Sequence, residues 1–201
     1  MLNVIICGAP GCGKGTQSAM IVEKYKLKHI STGELLRKEI AGKTDLGIEI
    51  ENYISTGNLV PDQMIIEILM KAFNAEAENG HGIILDGFPR TVAQAEILES
   101  MLKGTDKETT VLLDIQVDNH ELISRLLKRG ETSGRSDDNL ETIKKRLKVF
   151  ETKTAPVNYY YKTLGKYVAI DGMGTENEVF NRITAVLDSK IENQKHPVKI
   201  M

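Results

Sequence analysis

Fifteen residues near the N-terminus limit what this chain can fold into more than anything after them. Leu2-Asn3-Val4-Ile5-Ile6-Cys7 is a short apolar run with β-branched residues, and Gly8-Ala9-Pro10-Gly11-Cys12-Gly13-Lys14-Gly15-Thr16 follows it. The first run suits a strand of a parallel sheet covered on both faces. The second matches G-x-x-x-x-G-K, with Gly8, Gly13 and Lys14 in place, and reads as a phosphate loop opening a helix. The residue types follow from the chemistry. Backbone N–H groups must approach phosphate oxygens closely, so Gly11, Cys12, Gly13 and Gly15 are small. The helix start adds its positive dipole end and Lys14 a point charge. Gly15 stands where such loops commonly carry Ser or Thr, and the hydroxyl arrives one residue later, at Thr16. Thr16 reads as a β-phosphate or Mg²⁺-shell contact.

The rest of the chain alternates helix and strand signals. Apolar runs near 82–86, 109–117 and 166–171 and a short strand candidate at 26–30 give four more strands, and helical patterns lie between them. This predicts an α/β fold: a P-loop NTPase-like five-stranded parallel sheet with helices on both faces. The expected organisation is a single domain over 1–201, with its core in 1–30, 61–129 and 140–201. A helical insertion is expected at 31–60, and a compact polar loop at 130–139 with Gly130 and Gly134 as hinges. The helix opened by Pro61 and Asp62 is expected to run to about Glu78, and Pro156 to open another. The tail from Ile191 is expected to be mixed and frayed.

Several polar residues stand where such a sheet places its ligand-binding edge. Asp86 ends an apolar strand as a Walker-B acid does, and Gly87-Phe88-Pro89-Arg90 follows it. Ser31 and Glu34 have capping-box spacing, which leaves Arg37, one turn on, unexplained. Arg125 and Arg129 share a helix face, as a solvated pair or a cleft pair. Arg135 lies in the 130–139 loop. Arg146 flanks the Leu140/Ile143/Leu147/Phe150 stripe and reads equally as a snorkelling surface residue or as one reaching into a cleft.

Net charge is −2, from 26 basic and 28 acidic residues. Setting aside Lys14, Arg37, Arg90, Arg125, Arg129, Arg135 and Arg146 leaves 19 basic residues against the 28 acidic ones. A positive cleft on a negative body suits small polyanions and argues against nucleic acid. The start runs directly into a strand, no segment reads as a signal peptide or membrane span, and the two cysteines suit a reducing compartment. The expectation is a cytoplasmic protein. Four scattered histidines and the absence of cysteine beyond Cys12 leave no zinc motif.

Taken together, the segments Gly8–Thr16, Ser31-Thr32-Gly33-Glu34-Leu35-Leu36-Arg37, Asp86-Gly87-Phe88-Pro89-Arg90-Thr91 and Arg129-Gly130-Glu131-Thr132-Ser133-Gly134-Arg135 resemble adenylate kinase, a nucleoside monophosphate kinase, in its short-lid form. The resemblance covers roughly residues 1–190, and Gly15 is the residue this family has after the loop lysine. It implies reversible phosphoryl transfer from Mg²⁺-ATP to AMP, giving two ADP, by a monomer without zinc. It assigns the ATP side to Gly11–Thr16, Arg125, Arg129 and a backbone contact at Gly174. The AMP side falls to Thr32, Arg37, the backbone of Asn58, Leu59 and Val60, then Gly87, Phe88, Pro89, Arg90 and Gln94, with Gln94 reading the adenine edge. Lys14, Arg90, Arg125, Arg129, Arg135 and Arg146 would stabilise the transferring group, and Arg135 and Arg146 would also hold the AMP phosphate. Asp86 would hold Mg²⁺ through water, and Asp137 and Asp138 would pair with arginines when the lid closes. Relatives selective for UMP or CMP resemble the chain too, but tend to carry a smaller residue in place of Thr32 and Asn in place of Gln94. A GTP-binding switch would need an Asn-Lys-x-Asp segment, which is absent. A catalytically silent nucleotide-binding module would not need every matched position to hold the active residue type.

Overall fold

The computed structural model describes residues 1–76, 82–133 and 135–195. Five strands make one sheet: β1 (Val4–Gly8), β2 (Lys28–Ser31), β3 (Ile83–Asp86), β4 (Val111–Gln116) and β5 (Tyr167–Asp171). Their order is β2-β3-β1-β4-β5, and each neighbouring pair is parallel. Parallel neighbours need crossovers, and helices supply them. These are α1 (Lys14–Tyr25), α2 (Thr32–Ala41), α3 (Asp45–Ser55), α4 (Asp62–Glu76), α5 (Val92–Leu102), α6 (Asn119–Ser133), α7 (Leu140–Val149), α8 (Ala155–Thr163) and α9 (Glu176–Lys195).

The period of two in β1 splits the core. Val4 and Ile6 join Leu113 and Ile115 on one face, beneath Ile21 of α1, Leu122 and Leu126 of α6 and Ile183 and Leu187 of α9. Ile5 and Cys7 face the other way, with Leu85 and Leu112, against Leu98 of α5 and Val157 and Tyr161 of α8. Leu36 and Ile50 of the 31–60 insertion belong to this second cluster, so the insertion is seated on the sheet. Burying a side chain of this size contributes about 1.5–3 kcal/mol. Strands covered on both faces need continuous apolar runs, which is why they stand out in the sequence.

Three expectations need correction. Residues 130–133 are not loop: α6 continues through them to Ser133. Gly130 is there because its backbone touches another segment, since a Cβ on it would lie 2.7 Å from the Asp138 carbonyl oxygen. Leu140 leaves the apolar stripe and is 47% exposed, because it begins α7 beyond the end of the core. Pro156 stands in the first turn of α8 and opens it as expected. It has no N–H to donate, and a π-helical turn over Phe150–Thr154 carries the chain from α7 into α8 without a break. The tail is helical to Lys195, as Ile183, Leu187 and the partly buried Ile191 continue one stripe at intervals of four. The expected end of α4 near Glu78, the hinge at Gly134 and the tail beyond Lys195 lie outside the described residues.

Candidate active site

The strand order puts the C-terminal ends of β1 and β3 side by side, with Ile6 opposite Asp86 and Asp86 opposite Ser31. In an open α/β sheet this end holds the ligand crevice. A cleft of about 730 Å³ lies here. Gly11 through Thr16 line its floor. Gly13 caps α1 at φ 98°, without a side-chain cap and with no acidic residue in the first turn. The first N–H groups of α1 are therefore left for an anion. Lys14 folds over the loop, its Nζ donating to the carbonyls of Gly8 at 2.8 Å and Ala9 at 3.1 Å. Cys7 is buried on the core side, and burial first, then Asp114, pushes its thiol up to about 12. It is an inert packing group there.

Thr32, Arg37, Asn58, Leu59, Val60, Gly87, Pro89, Arg90 and Gln94 line one end of this cleft. Phe88 does not. Its side chain is 2% exposed in the second core cluster, because the alternation after β3 turns it inward. A contribution of Phe88 to the AMP side is therefore one of backbone. Thr32 donates to the Gly87 carbonyl at 2.8 Å. Arg90 Nε donates to the same carbonyl at 2.7 Å, and so the guanidinium is aimed by the turn that precedes it. The Gln94 amide is fixed at both ends: Oε1 accepts from the Arg90 N–H at 2.7 Å, and Nε2 donates to Asp62 Oδ1 at 2.6 Å. Each end keeps one hydrogen-bonding capacity for a ligand. Asp62 also accepts from Thr91 Oγ1 at 3.0 Å. Its sequence signal, an acid after Pro61 at a helix start, is fully used up by a capping reading.

Arg125, Arg129, Arg135, Asp137, Arg146 and Gly174 line the same cleft. Arg125 Nε is on Glu121 Oε1 at 2.7 Å. Arg129 binds Asp138 with Nε and Nη2, both at 2.7 Å, and Arg146 Nη1 reaches Asp138 at 3.0 Å and Asp137 at 2.7 Å. The lid acids are thus paired with arginines, the partners that the resemblance implies for them. The Asp138 side chain is fully buried. Burial pushes its carboxyl up, but the hydrogen bond from Arg129 and the charges of Arg129, Arg146 and Arg135 hold it below its ordinary value. Gly57, at φ +72°, closes the gap between the insertion and α7: a Cβ there would lie 3.1 Å from Arg146 Cγ.

The cations crowd one another. Burial, then the charges of Arg146 and Arg37, push the Arg90 guanidinium below its ordinary value against the pull of Asp86. Burial, then Arg129 and Arg37, do the same to Arg135 against Asp138 and Asp137. The guanidinia of Arg37 and Arg135 donate no hydrogen bond to protein among the described residues. Arranging like charges this way is unfavourable without an anion, and planar guanidinia suit phosphate oxygens.

Asp86 is 9% exposed at the end of β3. Burial pushes its carboxyl up, and His29, Lys14 and Arg90 together hold it below its ordinary value. His29 Nε2 lies 3.8 Å from Asp86 Oδ2, a charge contact and not a hydrogen bond. Nothing in the sequence around His29 signals this partner. Among the described residues no group of three His, Cys, Asp or Glu side chains could hold a metal ion, and no helix is long and apolar enough to cross a membrane. One ionised carboxylate beside a phosphate loop fits an ion carried mostly by phosphate oxygens and water, as Mg²⁺ is.

Comparison with known proteins agrees with this geometry. A family model described as adenylate kinase matches residues 6–166. The adenylate kinase of Bacteroides fragilis is 51% identical over 189 residues, 94% of this chain and 100% of the relative. That of Phocaeicola vulgatus is 52% identical over 188 residues, and that of Parabacteroides distasonis 51% over 189, each covering 94% of this chain and 99% of its own. With a phosphate loop, an ionised strand-end acid and a cluster of crowded arginines in one cleft, and with this likeness over nearly its whole length, the chain belongs to the adenylate kinase family, the phosphotransferases that convert ATP and AMP into two ADP.

Proposed function

We propose that ATP and AMP lie end to end in this cleft and that the γ-phosphoryl passes between them across the arginine cluster. The observation that carries the reading is the pair of guanidinia, Arg37 and Arg135, that lack a protein hydrogen-bond partner among the described residues while facing other cations in a cleft floored by Lys14. ATP and AMP bring roughly six negative charges at neutral pH, which seven cationic side chains and Mg²⁺ offset.

On the ATP side, the α1 N–H groups and Lys14 take the β- and γ-phosphates, Lys14 exchanging the Gly8 and Ala9 carbonyls for phosphate oxygens. Arg125 and Arg129 add donors. Arg129 spends Nε and Nη2 on Asp138, which leaves Nη1 for phosphate and the plane of the guanidinium fixed. The lid acids therefore orient the arginines. On the AMP side Arg37 and Arg90 hold the phosphate, Gln94 reads the adenine edge, and the backbone of 58–60 lines the base. Arg135 and Arg146 sit over the transferring group. An AMP phosphate oxygen forms the new bond to Pγ as the bond from Pγ to the β-bridging oxygen breaks. The nucleophile is already an anion, so alignment and equatorial charge stabilisation are the protein's work. Asp86, through water, and Thr16 would hold Mg²⁺. When bound, that ion neutralises phosphate charge and fixes the triphosphate geometry.

We read the boundaries as an AMP-binding insertion over 31–60 and a lid that begins with the end of α6. We also propose a cytoplasmic monomer, since one chain supplies both halves of the cleft and both cysteines are free thiols. Lys14→Ala and Arg90→Ala test the assignment. Lys14→Ala should lower kcat by about 10²-fold or more at an unchanged melting temperature. Arg90→Ala should raise KM for AMP more than KM for ATP. Near-normal turnover in the first, or the reverse order of KM effects in the second, would refute these roles.

A further inference from the structure

The segment 171–176 joins β5 to α9, and Gly172, Gly174 and Thr175 line the cleft there. A segment that recognises a base through its backbone can discriminate only if its peptide planes are fixed. Here side chains outside the phosphate machinery fix them. Arg182 reaches back from α9, and its Nη1 donates to the carbonyls of Asp171 at 2.9 Å and Met173 at 2.6 Å. Gln17, 3% exposed on α1, donates Nε2 to the Glu176 carbonyl at 2.9 Å. Glu178 accepts from Thr175 N–H at 2.7 Å and from its hydroxyl at 2.8 Å.

The planar trans peptide turns each of these bonds into a statement about the next residue. With the Asp171 carbonyl on Arg182, the Gly172 N–H points the opposite way, where it donates to Gln116 O at 2.7 Å. With the Met173 carbonyl on Arg182, the Gly174 N–H likewise points away from Arg182. With the Thr175 N–H on Glu178, the Gly174 carbonyl points away from Glu178. Gly174 therefore presents one donor and one acceptor in a fixed arrangement. Adenine offers an amino donor beside a ring acceptor, and guanine offers the reverse, a carbonyl acceptor beside a ring N–H. A fixed pair accepts the first and opposes the second.

We propose that Arg182 is a positioning residue that sets selectivity for the adenine of the triphosphate, with Gln17 as its counterpart on α1. This rests on the reading of Gly174 as the ATP base contact. The Arg182 side chain is 40% exposed, and exposed ion pairs add little to folding, so its removal tests positioning more than stability.

The experiment measures kcat, KM for ATP, KM for AMP, the ATP-to-GTP ratio of kcat/KM and the melting temperature for wild type, Arg182→Ala and Arg182→Lys. Arg182→Ala should raise KM for ATP about tenfold, the effect of one well-placed hydrogen bond, and lower the ATP-to-GTP ratio with it. KM for AMP should stay within about twofold, the scale of a neutral surface change. Arg182→Lys keeps a donor and should recover part of both effects, and it carries the test if the alanine variant fails to fold. Unchanged KM for ATP and unchanged selectivity in a folded variant would overturn the proposal, as would equal rises in both KM values. A wild-type protein that forms ADP without preferring ATP over GTP would instead overturn the reading of Gly174, and the proposal with it.

Discussion

Replacing Gly130 by alanine separates a crowded glycine from a hinge. Gly130 is inside α6, where Gly→Ala ordinarily stabilises by about 0.8–1 kcal/mol. The structure predicts the opposite sign. The added Cβ would lie 2.7 Å from the Asp138 carbonyl oxygen and 3.2 Å from its Cβ, where relaxed contacts need about 3.5 Å. Asp138 must move by roughly 0.8 Å or α6 must bend by as much. Two arginines converge on that carboxylate at 2.7 and 3.0 Å. A displacement of this size takes such bonds beyond their usual range of about 2.7–3.2 Å. Overpacking costs about 1–3 kcal/mol, and each weakened charged hydrogen bond puts at risk about 1.5–3 kcal/mol. After the helix gain is subtracted, a net loss of about 2 kcal/mol is expected, or about 4–8 °C in melting temperature for a chain of this size. Because Arg129 and Arg146 are re-aimed, kcat should fall by about tenfold or more. Differential scanning calorimetry with a steady-state assay decides it. A hinge glycine would give a raised melting temperature with altered turnover, and that result would refute the packing argument.

Gly15 is the matching control: a Cβ there meets no heavy atom within 4 Å, yet the residue lines the cleft. Gly15→Ala should keep or slightly raise the melting temperature while raising KM for ATP; a normal KM would contradict the assignment of this loop to phosphate. For Asp138 the folded pKa is lowered, so its contribution to stability is present above the unfolded value of about 3.9 and is lost as pH falls through the folded one. Asp138→Asn should therefore lower stability by about 1.5–3 kcal/mol near neutrality. The gap between variant and wild type should narrow below about pH 4. Melting curves that stay parallel from pH 7 to pH 3 would contradict this.

The sheet is legible in the sequence because β1, β3, β4 and β5 are largely apolar runs, as a doubly covered sheet demands, whereas β2, Lys-His-Ile-Ser at the sheet edge, is the faintest of the five. The arginines are legible as residues but not as a cluster. Arg125 and Arg129 have ordinary helical spacing, and only the crossing of α6, α7 and the insertion brings Arg37, Arg90, Arg135 and Arg146 within reach of one another. Gly130 looks like a helix breaker because propensity says nothing about a chain segment packed across it. Leu140 looks apolar enough for the core, but its burial depends on where the core ends. Asp62, His29, Gln17 and Arg182 escape sequence reasoning for a common reason. Their partners, Gln94, Asp86, Glu176 and Met173, are set by tertiary contacts that no local pattern encodes.

If one cleft joins ATP to AMP, the stoichiometry of the three adenine nucleotides must show it. They can be followed by chromatography after mixing the protein with Mg²⁺, ATP and each of AMP, GMP, CMP and UMP in turn. AMP should be consumed one for one with ATP, two ADP should appear for each pair, and the other monophosphates should be poor acceptors. ADP and free phosphate formed from ATP without loss of AMP, or faster use of CMP or UMP than of AMP, would contradict a shared cleft selective for AMP.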